Sequence, residues 1–210
     1  MRIVATVVSA REAARAAAFS PDLLEARIDL MEADPAGELP SIRAAFPGPV
    51  ILTIRSTAEG GRFAGSPGEW WETMEPLLGS GDLVDVEMAF SSFSPRVREA
   101  GKGIIASRHE DAMPSPEELG RIERDLREYG DIPKIVVRPG SGGDLIELFR
   151  FTLGAARPVC TGVLGEEYRF ARAILPFFGS ELVYAHAGTR GAPGQFSLEE
   201  FQKVRALLGL

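Results

Sequence analysis

The feature of this chain that most constrains its fold is a regular alternation of short, β-branched apolar runs with stretches of helical spacing. Eight runs are predicted as strands: residues 2–8, 24–30, 49–55, 82–88, 103–107, 132–137, 158–163 and 182–187. A helix-like segment follows each of them. Strict βα alternation predicts a parallel α/β sheet with right-handed crossovers.

Eight βα units close most economically into a (β/α)8 barrel, the TIM-barrel fold, although 210 residues is short for it. An open doubly wound sheet, which needs fewer units, is the alternative. The composition shows no linker-like shift, so we expect a single domain over residues 1–210. In a barrel, functional side chains lie where strands end and βα loops begin.

Helix punctuation supports this alternation. Ser115-Pro116-Glu117-Glu118 has the pattern of an N-cap, an N1 proline and a capping-box glutamate, and it predicts a helix that ends near Gly130. The segment Ser197-Leu198-Glu199-Glu200 opens the last helix in the same way. Residues 144–153 and 167–174 are further amphipathic candidates.

Composition excludes several classes of protein. The formal net charge of −7 argues against a nucleic-acid binder, which normally has a basic excess. One cysteine, Cys160, cannot form an internal disulfide, and two histidines make a His/Cys zinc cage improbable. The N-terminus lacks signal-peptide features, and no apolar window is long enough to span a membrane. We therefore expect a cytoplasmic protein.

Lys134 is the residue that points most directly to chemistry. It lies inside the apolar run Ile132–Val137, where desolvation makes an ammonium costly. Burial lowers the pKa of a lysine and leaves a nucleophilic amine, the group needed for Schiff-base formation with a ketone or aldehyde. A purely architectural pairing with a strand-end carboxylate is the alternative interpretation.

His109 follows the predicted strand 103–107 and shares a face with Ser107. A histidine at the C-terminal end of a strand near a buried lysine can carry protons near neutral pH, although a solvated loop histidine is the plainer interpretation of the residue alone. His186, in the exit of the last strand, is interpreted as a solvated loop residue.

Other polar residues recur at the strand ends. Glu25, Arg27 and Asp29 alternate within one strand, which indicates a polar barrel interior, and Arg55 ends the next strand. Residues 58–69 are rich in glycine and small side chains, long enough for a lid. The pair 85 and 87, both carboxylates, is interpreted as structural partners for arginines.

Taken together, six blocks in order along nearly the whole chain resemble type I 3-dehydroquinate dehydratase. The blocks are Glu25-Ala26-Arg27-Ile28-Asp29, Thr53-Ile54-Arg55 with Glu59-Gly60-Gly61, Ser107-Arg108-His109, Pro133-Lys134-Ile135, Gly179-Ser180 and Ala192-Pro193-Gly194-Gln195. The fold of that family is a (β/α)8 barrel, in agreement with the strand count.

The resemblance implies a role for each matched position. Lys134 matches the lysine that forms the imine, His109 the proton-shuttling histidine, and Glu59 the glutamate that supports it. The positions matching substrate-binding residues are Glu25, Arg27, Arg55, Arg172 and Gln195. Among them Arg172 matches the arginine that holds the substrate carboxylate. No metal or cofactor is implied, the substrate is 3-dehydroquinate, and the family suggests a homodimer.

The chain departs from the family pattern at three loop positions. Gly191 replaces a usual serine, Asp111 a usual aromatic residue, and Leu164 a usual methionine. The N-terminal extension that often precedes the first strand is absent from this sequence. These departures concern loop closure and substrate affinity more than the chemistry.

The resemblance implies a hydro-lyase of aromatic amino acid biosynthesis that removes water from 3-dehydroquinate by syn elimination, giving 3-dehydroshikimate. Two alternatives stay open. A Schiff-base aldolase on the same barrel would grip a phosphate, and the glycine-rich loop 139–144 could offer N–H groups for it, although neither this loop nor 191–195 has a phosphate-loop motif. A non-catalytic barrel that binds a small anion is the other.

Overall fold

Parallel strands form the sheet of the computed structural model, which describes residues 1–209. The strands are β1 (Arg2–Val7), β2 (Leu23–Arg27), β3 (Val50–Thr53), β4 (Leu83–Glu87), β5 (Gly103–Glu110), β6 (Ile132–Val137), β7 (Cys160–Val163), β8 (Leu182–His186) and β9 (Phe196–Ser197). Their hydrogen-bonded order is β7-β6-β5-β4-β3-β2-β1-β8-β9. Because β8 lies beside β1, the sheet curls round on itself instead of reversing direction as a doubly wound sheet does.

Helices alternate with the strands and cover the outside of the sheet. They are α1 (Ala10–Ala17), α2 (Pro35–Ala45), α3 (Pro67–Met74), α4 (Ser94–Glu99), α5 (Pro116–Arg127), α6 (Gly142–Gly154), α7 (Ala171–Phe178) and α8 (Leu198–Leu208). This arrangement confirms the predicted (β/α)8 barrel. Within residues 1–209, no helix is long and apolar enough to cross a membrane.

The barrel closes between β7 and β8 without a regular ladder of hydrogen bonds. The N–H of Glu181 donates to the carbonyl of Val159 at 2.7 Å. The hydroxyl of Ser180 accepts the N–H of Thr161 at 3.0 Å and donates to the carbonyl of the same residue at 3.1 Å. The unpredicted strand β9 pairs with the other end of β8, where Phe196 lies opposite Ala185. We call the contact between β7 and β8 the closing seam.

Two apolar layers hold the strands. Inside the barrel, one floor is formed by buried side chains that include Val4, Leu23, Ile51, Ile105 and Ile132. Between sheet and helices lies a larger core. Polar side chains begin above the floor, on the following inward-facing positions of the same strands, because successive inward positions in a strand are two residues apart. The polar side chains therefore lie between the apolar floor and the carboxyl ends of the strands.

Helix starts agree with the predicted punctuation. The hydroxyls of Ser115 and Ser197 accept hydrogen bonds from the N–H groups of Glu118 and Glu200. At α8 the Glu200 carboxylate also accepts the backbone N–H of Ser197, which completes a capping box. Glu118 instead contacts Arg121 in the same helix.

The amphipathic candidate at 167–174 is wrong in its first four residues. Helix α7 starts at Ala171, because the chain turns after Gly165, which has a φ of +89°, and Arg169 N–H bonds back to the Glu166 carbonyl. The proposed lid 58–69 is also shorter than expected, since Ser66 and Glu69 form the capping box of α3.

The observed strand ends differ most from the predicted ones at β2 and β5. Strand β2 stops at Arg27, three residues before its predicted end, because the side chain of Arg27 folds onto Asp29 and Ile28–Leu30 form a 3-10 helix. Strand β5 instead continues through His109 to Glu110, since its pairing with β6 extends that far. The interpretation of His186 as a loop residue is wrong: it is the last residue of β8 and lies opposite Thr6.

Candidate active site

A pocket of about 340 Å³ opens at the carboxyl ends of the strands. All eight residues singled out as catalytic or substrate-binding line it: Glu25, Arg27, Arg55, Glu59, His109, Lys134, Arg172 and Gln195. They come from the three strands β2, β5 and β6, from the loops after β3 and β8, and from the first turn of α7. The folded chain therefore brings together positions up to 170 residues apart, counted as 195 − 25.

Lys134 lies in the middle of β6 with its side chain 6% exposed. Its Nζ donates to Asp85 Oδ2 at 2.9 Å and lies 3.8 Å from Glu25 Oε1. The ring of Tyr184 covers the same nitrogen, with its centroid 4.2 Å away. The ammonium is therefore held by one carboxylate, with a second carboxylate and an aromatic face beside it.

Asp85 is nearer to the chemistry than the sequence indicated. It does contact an arginine, as predicted, since Arg55 Nη2 lies 2.9 Å from Oδ1, but its other oxygen holds Lys134. Ser107 donates to Asp85 Oδ1 at 2.5 Å. Burial alone would raise the pKa of Asp85, but Arg55 and Lys134 outweigh burial and hold it at about 2. The residue that pairs with a buried lysine cannot be identified from spacing along one strand.

Arg55 forms ion pairs with three carboxylates at the pocket. Its Nη1 donates to Glu59 at 3.2 Å and to Glu87 at 3.0 Å, in addition to the Asp85 contact of Nη2. Burial opposes the charge, yet these carboxylates raise the pKa of Arg55 above its usual value. Glu87 also accepts the N–H and hydroxyl of Ser56, so its predicted structural role fits its contacts.

His109 and Glu59 form a buried pair on the wall of the pocket. His109 Nδ1 lies 2.7 Å from Glu59 Oε2, and the backbone N–H of His109 donates to the same oxygen at 3.1 Å. Burial lowers the pKa of His109 well below 6.5, and the neighbouring cations Arg55 and Lys134 act in the same direction. Burial also raises the pKa of Glu59 to about 8, although Arg55 opposes it. The imidazole is therefore neutral near pH 7, and its ring is fixed by bonds to Nδ1 and the backbone.

Glu25 and Arg27 have partners of their own within the protein. Thr6 and Thr53 donate their hydroxyls to the two oxygens of Glu25 at 2.8 and 3.2 Å. Arg27 forms a bidentate pair with Asp29, at 2.8 and 2.9 Å, and donates to the carbonyl of Gly191 at 2.9 Å. Both side chains are thus pre-oriented at the pocket wall.

Arg172 stands apart from these cations. Within residues 1–209 it has no carboxylate partner. Among the described residues its one side-chain hydrogen bond is to the carbonyl of Pro193 at 3.3 Å, and its Nε is buried without a partner there. Burial and the nearby Arg169 lower its pKa to about 10, so the guanidinium still carries its charge at neutral pH. An unpaired guanidinium at a pocket wall is suited to a carboxylate ligand.

The loop after β8, residues 187–195, forms part of the pocket roof. Gln195 uses both ends of its amide inside the protein, donating to Thr6 Oγ1 at 2.9 Å and accepting the Gly191 N–H at 2.7 Å. Glu12 accepts the N–H and hydroxyl of Thr189, both at 2.8 Å, and Glu166 accepts the N–H of Gly194. The contribution of these two glutamates was not foreseen, because nothing in the local sequence relates them to this loop.

In the glycine-rich loop 139–144, two N–H groups already have partners within the loop. Asp144 Oδ2 accepts the N–H of Gly140 at 2.8 Å, and the Asp144 N–H donates to the hydroxyl of Ser141. The start of α6 therefore carries its own carboxylate. Among residues 1–209 there is likewise no group of three or more His, Cys, Asp or Glu side chains placed to bind a metal ion.

Comparison with known proteins relates this barrel and its pocket to one family. A family model described as type I 3-dehydroquinase matches residues 3–210. The 3-dehydroquinate dehydratase of Methanoregula boonei is 50% identical over 208 residues, covering 99% of this chain and 100% of the relative.

Solved structures show the same relationship. The 3-dehydroquinate dehydratase of Geobacillus kaustophilus is 30% identical with a TM-score of 0.89, over 99% of this chain and 91% of that one. The type I enzyme of Clostridium difficile, described with covalently modified comenic acid, is 25% identical with a TM-score of 0.83, over 99% and 91% of the two chains.

Proposed function

The chain belongs to the type I 3-dehydroquinase family, and we propose that it dehydrates 3-dehydroquinate through a Schiff base formed on Lys134. The enzyme is a 3-dehydroquinate dehydratase, a hydro-lyase. The observation that supports the Schiff base is the position of a buried lysine amine on the pocket wall, with a neutral histidine lining the same pocket. A covalently modified ligand in the related Clostridium difficile structure supports covalent chemistry in this family.

Substrate binding follows from the charges of the pocket. No carboxylate of residues 1–209 pairs with Arg172, and this guanidinium binds the substrate carboxylate. Glu25, Arg27 and Arg55, which hydrogen bonds hold in place, bind the substrate hydroxyls, and Gln195 holds the loop above them. Pre-orientation of these groups lowers the entropic cost of aligning the ketone with the amine.

Imine formation starts from the Lys134 ammonium and the C3 ketone. His109 takes a proton from the ammonium, the freed amine forms a bond to C3, and the ketone oxygen leaves as water after accepting two protons. Ammonium and ketone together give the iminium and one water. The iminium is an electron sink, and it acidifies the hydrogen on the neighbouring C2 atom.

Elimination uses His109 twice. The imidazole removes the C2 proton, and the resulting enamine expels the C1 hydroxyl, which the imidazolium protonates to water. One group serving both transfers requires both on the same face of the ring, so the elimination is syn. Glu59 fixes the imidazole through Nδ1, and hydrolysis of the conjugated iminium releases 3-dehydroshikimate and restores Lys134.

Neither alternative is favoured by a specific contact. A Schiff-base aldolase would need a phosphate grip, but in the loop 139–144 the Gly140 N–H is bonded to Asp144, and none of residues 139–144 lines the pocket. A barrel that only binds an anion gives the buried Lys134 amine no chemical role. The proposal also places the enzyme in the shikimate pathway, as a cytoplasmic, single-domain homodimer that needs no metal or cofactor.

The decisive experiment traps the intermediate. We expect 3-dehydroquinate with sodium borohydride to give a reduced adduct on Lys134, located by peptide mass spectrometry. Lys134→Ala should form no adduct and lose dehydration activity. The matched control is Lys203→Ala, since Lys203 is exposed on α8 and paired with Glu199. An adduct elsewhere, or full activity without Lys134, would contradict the mechanism.

A further inference from the structure

Tyr184 is a pocket residue without an assigned role. It lies on β8, opposite Val4 of β1, and its ring covers the amine of Lys134. In the barrel, β5 with His109 lies on one side of β6, whereas β7 and β8 lie on the other. Tyr184 therefore reaches Lys134 from the side that His109 does not occupy.

The hydroxyl of Tyr184 is both buried and unpaired. Its Oη makes no hydrogen bond to any of residues 1–209 and is shielded from solvent. Tyr184 packs against the apolar cluster whose buried members include Val4, Cys160 and Leu182. Leaving a buried hydroxyl without a partner costs about 1–3 kcal/mol, so such a group is expected to serve a ligand or a bound water.

The phenol of Tyr184 can donate or accept a hydrogen bond, but it cannot act as a base. Burial raises the pKa of Tyr184 well above 10, so the group keeps its proton. The neighbouring Cys160 thiol is equally inert, because burial raises its pKa to about 11. Beside Lys134 there is therefore a neutral, unpaired O–H and a thiol that stays protonated.

We propose that the Tyr184 hydroxyl donates a hydrogen bond to the C3 oxygen of the substrate while Lys134 attacks that carbon. The inference rests on the proposed function, since it needs the ketone carbon at the Lys134 amine. The oxygen gains negative charge only as the C–N bond forms, so a donor placed there stabilises the transition state more than the bound ketone.

Proton transfers balance without ionising the phenol. As the C–N bond forms, the π electron pair of the ketone moves onto oxygen, and Tyr184 O–H holds that charge. The oxygen then takes one proton from the attacking nitrogen and a second from the protonated His109, and it leaves as water while the nitrogen lone pair forms the C=N bond. Tyr184 ends the step as it began, and it acts in imine formation and later hydrolysis but not in C2 proton removal.

Tyr184→Phe tests this assignment, because it keeps the ring over Lys134 and removes only the hydroxyl. We expect the rate of imine formation, measured by rapid mixing and timed borohydride quenching, to fall roughly 100- to 1,000-fold, the range for loss of one hydrogen-bond donor to a developing oxyanion. The deuterium isotope effect on kcat with C2-labelled substrate should shrink towards one, as imine formation becomes rate-limiting. The melting temperature should stay unchanged or rise, because an unpaired buried hydroxyl is lost.

Tyr129→Phe is the matched control. Tyr129 donates its hydroxyl to the carbonyl of Val86 at 3.2 Å and does not line the pocket. Its loss should lower the melting temperature and leave the trapping rate and isotope effect unchanged.

An unchanged trapping rate in Tyr184→Phe would overturn the inference while leaving the lysine chemistry intact. If the melting temperature also fell, the hydroxyl would be assigned to a structural water. By contrast, no adduct on Lys134 in the wild-type enzyme would refute the proposed function itself.

Discussion

Arg172 differs from the other pocket cations because Arg27, Arg55 and Lys134 each contact a carboxylate of the protein. Its charge is therefore available to the ligand, and its planar fork can bind a carboxylate through two parallel bonds. We expect Arg172→Lys to raise KM roughly 10- to 100-fold, since lysine keeps the charge but loses one of the two bonds.

Steady-state kinetics would check the Arg172→Lys prediction. The control is Arg169→Lys, because Arg169 pairs with Glu200 and does not line the pocket. Wild-type kinetics in the first variant would mean that another residue holds the carboxylate.

His109 determines the expected pH dependence. A base must be unprotonated to work, and burial with nearby cations lowers the pKa of this imidazole. Its neutral form therefore persists to lower pH than that of an ordinary histidine, and kcat/KM should stay level down to pH 6.5 and fall only below it. A pH profile of kcat/KM measures this. A limb near pH 8 would instead assign control to Glu59.

Among single residues, the sequence identified as functional candidates those whose side-chain type is unusual for the surrounding sequence. Lys134 in an apolar strand and the alternating Glu25 and Arg27 are conspicuous for that reason. Tyr184 is not, because tyrosine is common in strands. Asp85 was interpreted through arginine alone, since its contact with Lys134 runs from β4 to β6 across the intervening strand β5.

The loop after β8 shows how elements cooperate at the pocket. Glu12 on α1 binds Thr189 through two hydrogen bonds and so fixes the loop that carries Gln195. We expect Glu12→Ala to raise KM about tenfold, from the loss of charge-assisted bonds of about 1.5 kcal/mol, with a smaller change in kcat. Enzyme kinetics would test this.

Glu199→Ala removes an exposed surface pair with Lys203 and serves as the control, which should behave like the wild type. If Glu12→Ala changed kcat and left KM unaltered, the loop would be acting on chemistry rather than on binding.

Element types were predictable where propensity and periodicity agreed, as in β6, whose bounds match the prediction. The exact ends of the strands were not predictable, because tertiary contacts determine where each strand stops. The Arg27–Asp29 pair ends β2 early, and pairing with β6 carries β5 on to Glu110. Strand β9 has only two residues, too few for a periodic pattern.

The whole molecule depends on the closing seam between β7 and β8. Ser180 is buried there and its hydroxyl satisfies both backbone groups of Thr161. Ser180→Ala leaves the Thr161 N–H without a partner, so we expect a loss of about 1–3 kcal/mol in the free energy of unfolding. Denaturant titration would measure it, and hydrogen exchange at the Glu181 N–H should become faster.

Ser66→Ala provides the comparison, because it removes an exposed cap hydroxyl of α3. It should cost about 1 kcal/mol and leave exchange at the closing seam unaltered. Equal exchange at Glu181 in both variants would show that closure does not depend on Ser180. The strand count predicted that the barrel closes, but not that its closing seam combines a backbone hydrogen bond with bonds from the Ser180 side chain.

Asp144 at the start of α6 has a consequence for selectivity among cellular metabolites. A reactive lysine at the base of an open pocket would condense with many ketones and aldehydes, and sugar phosphates are among the commonest in a cell. A helix that begins with its own carboxylate bound to the Gly140 N–H is a poorer site for a phosphate dianion than a helix start without a negative charge. We therefore expect phosphorylated carbonyls to find no strong anchor at the start of α6, whereas in the proposed function the guanidinium of Arg172 binds a carboxylate.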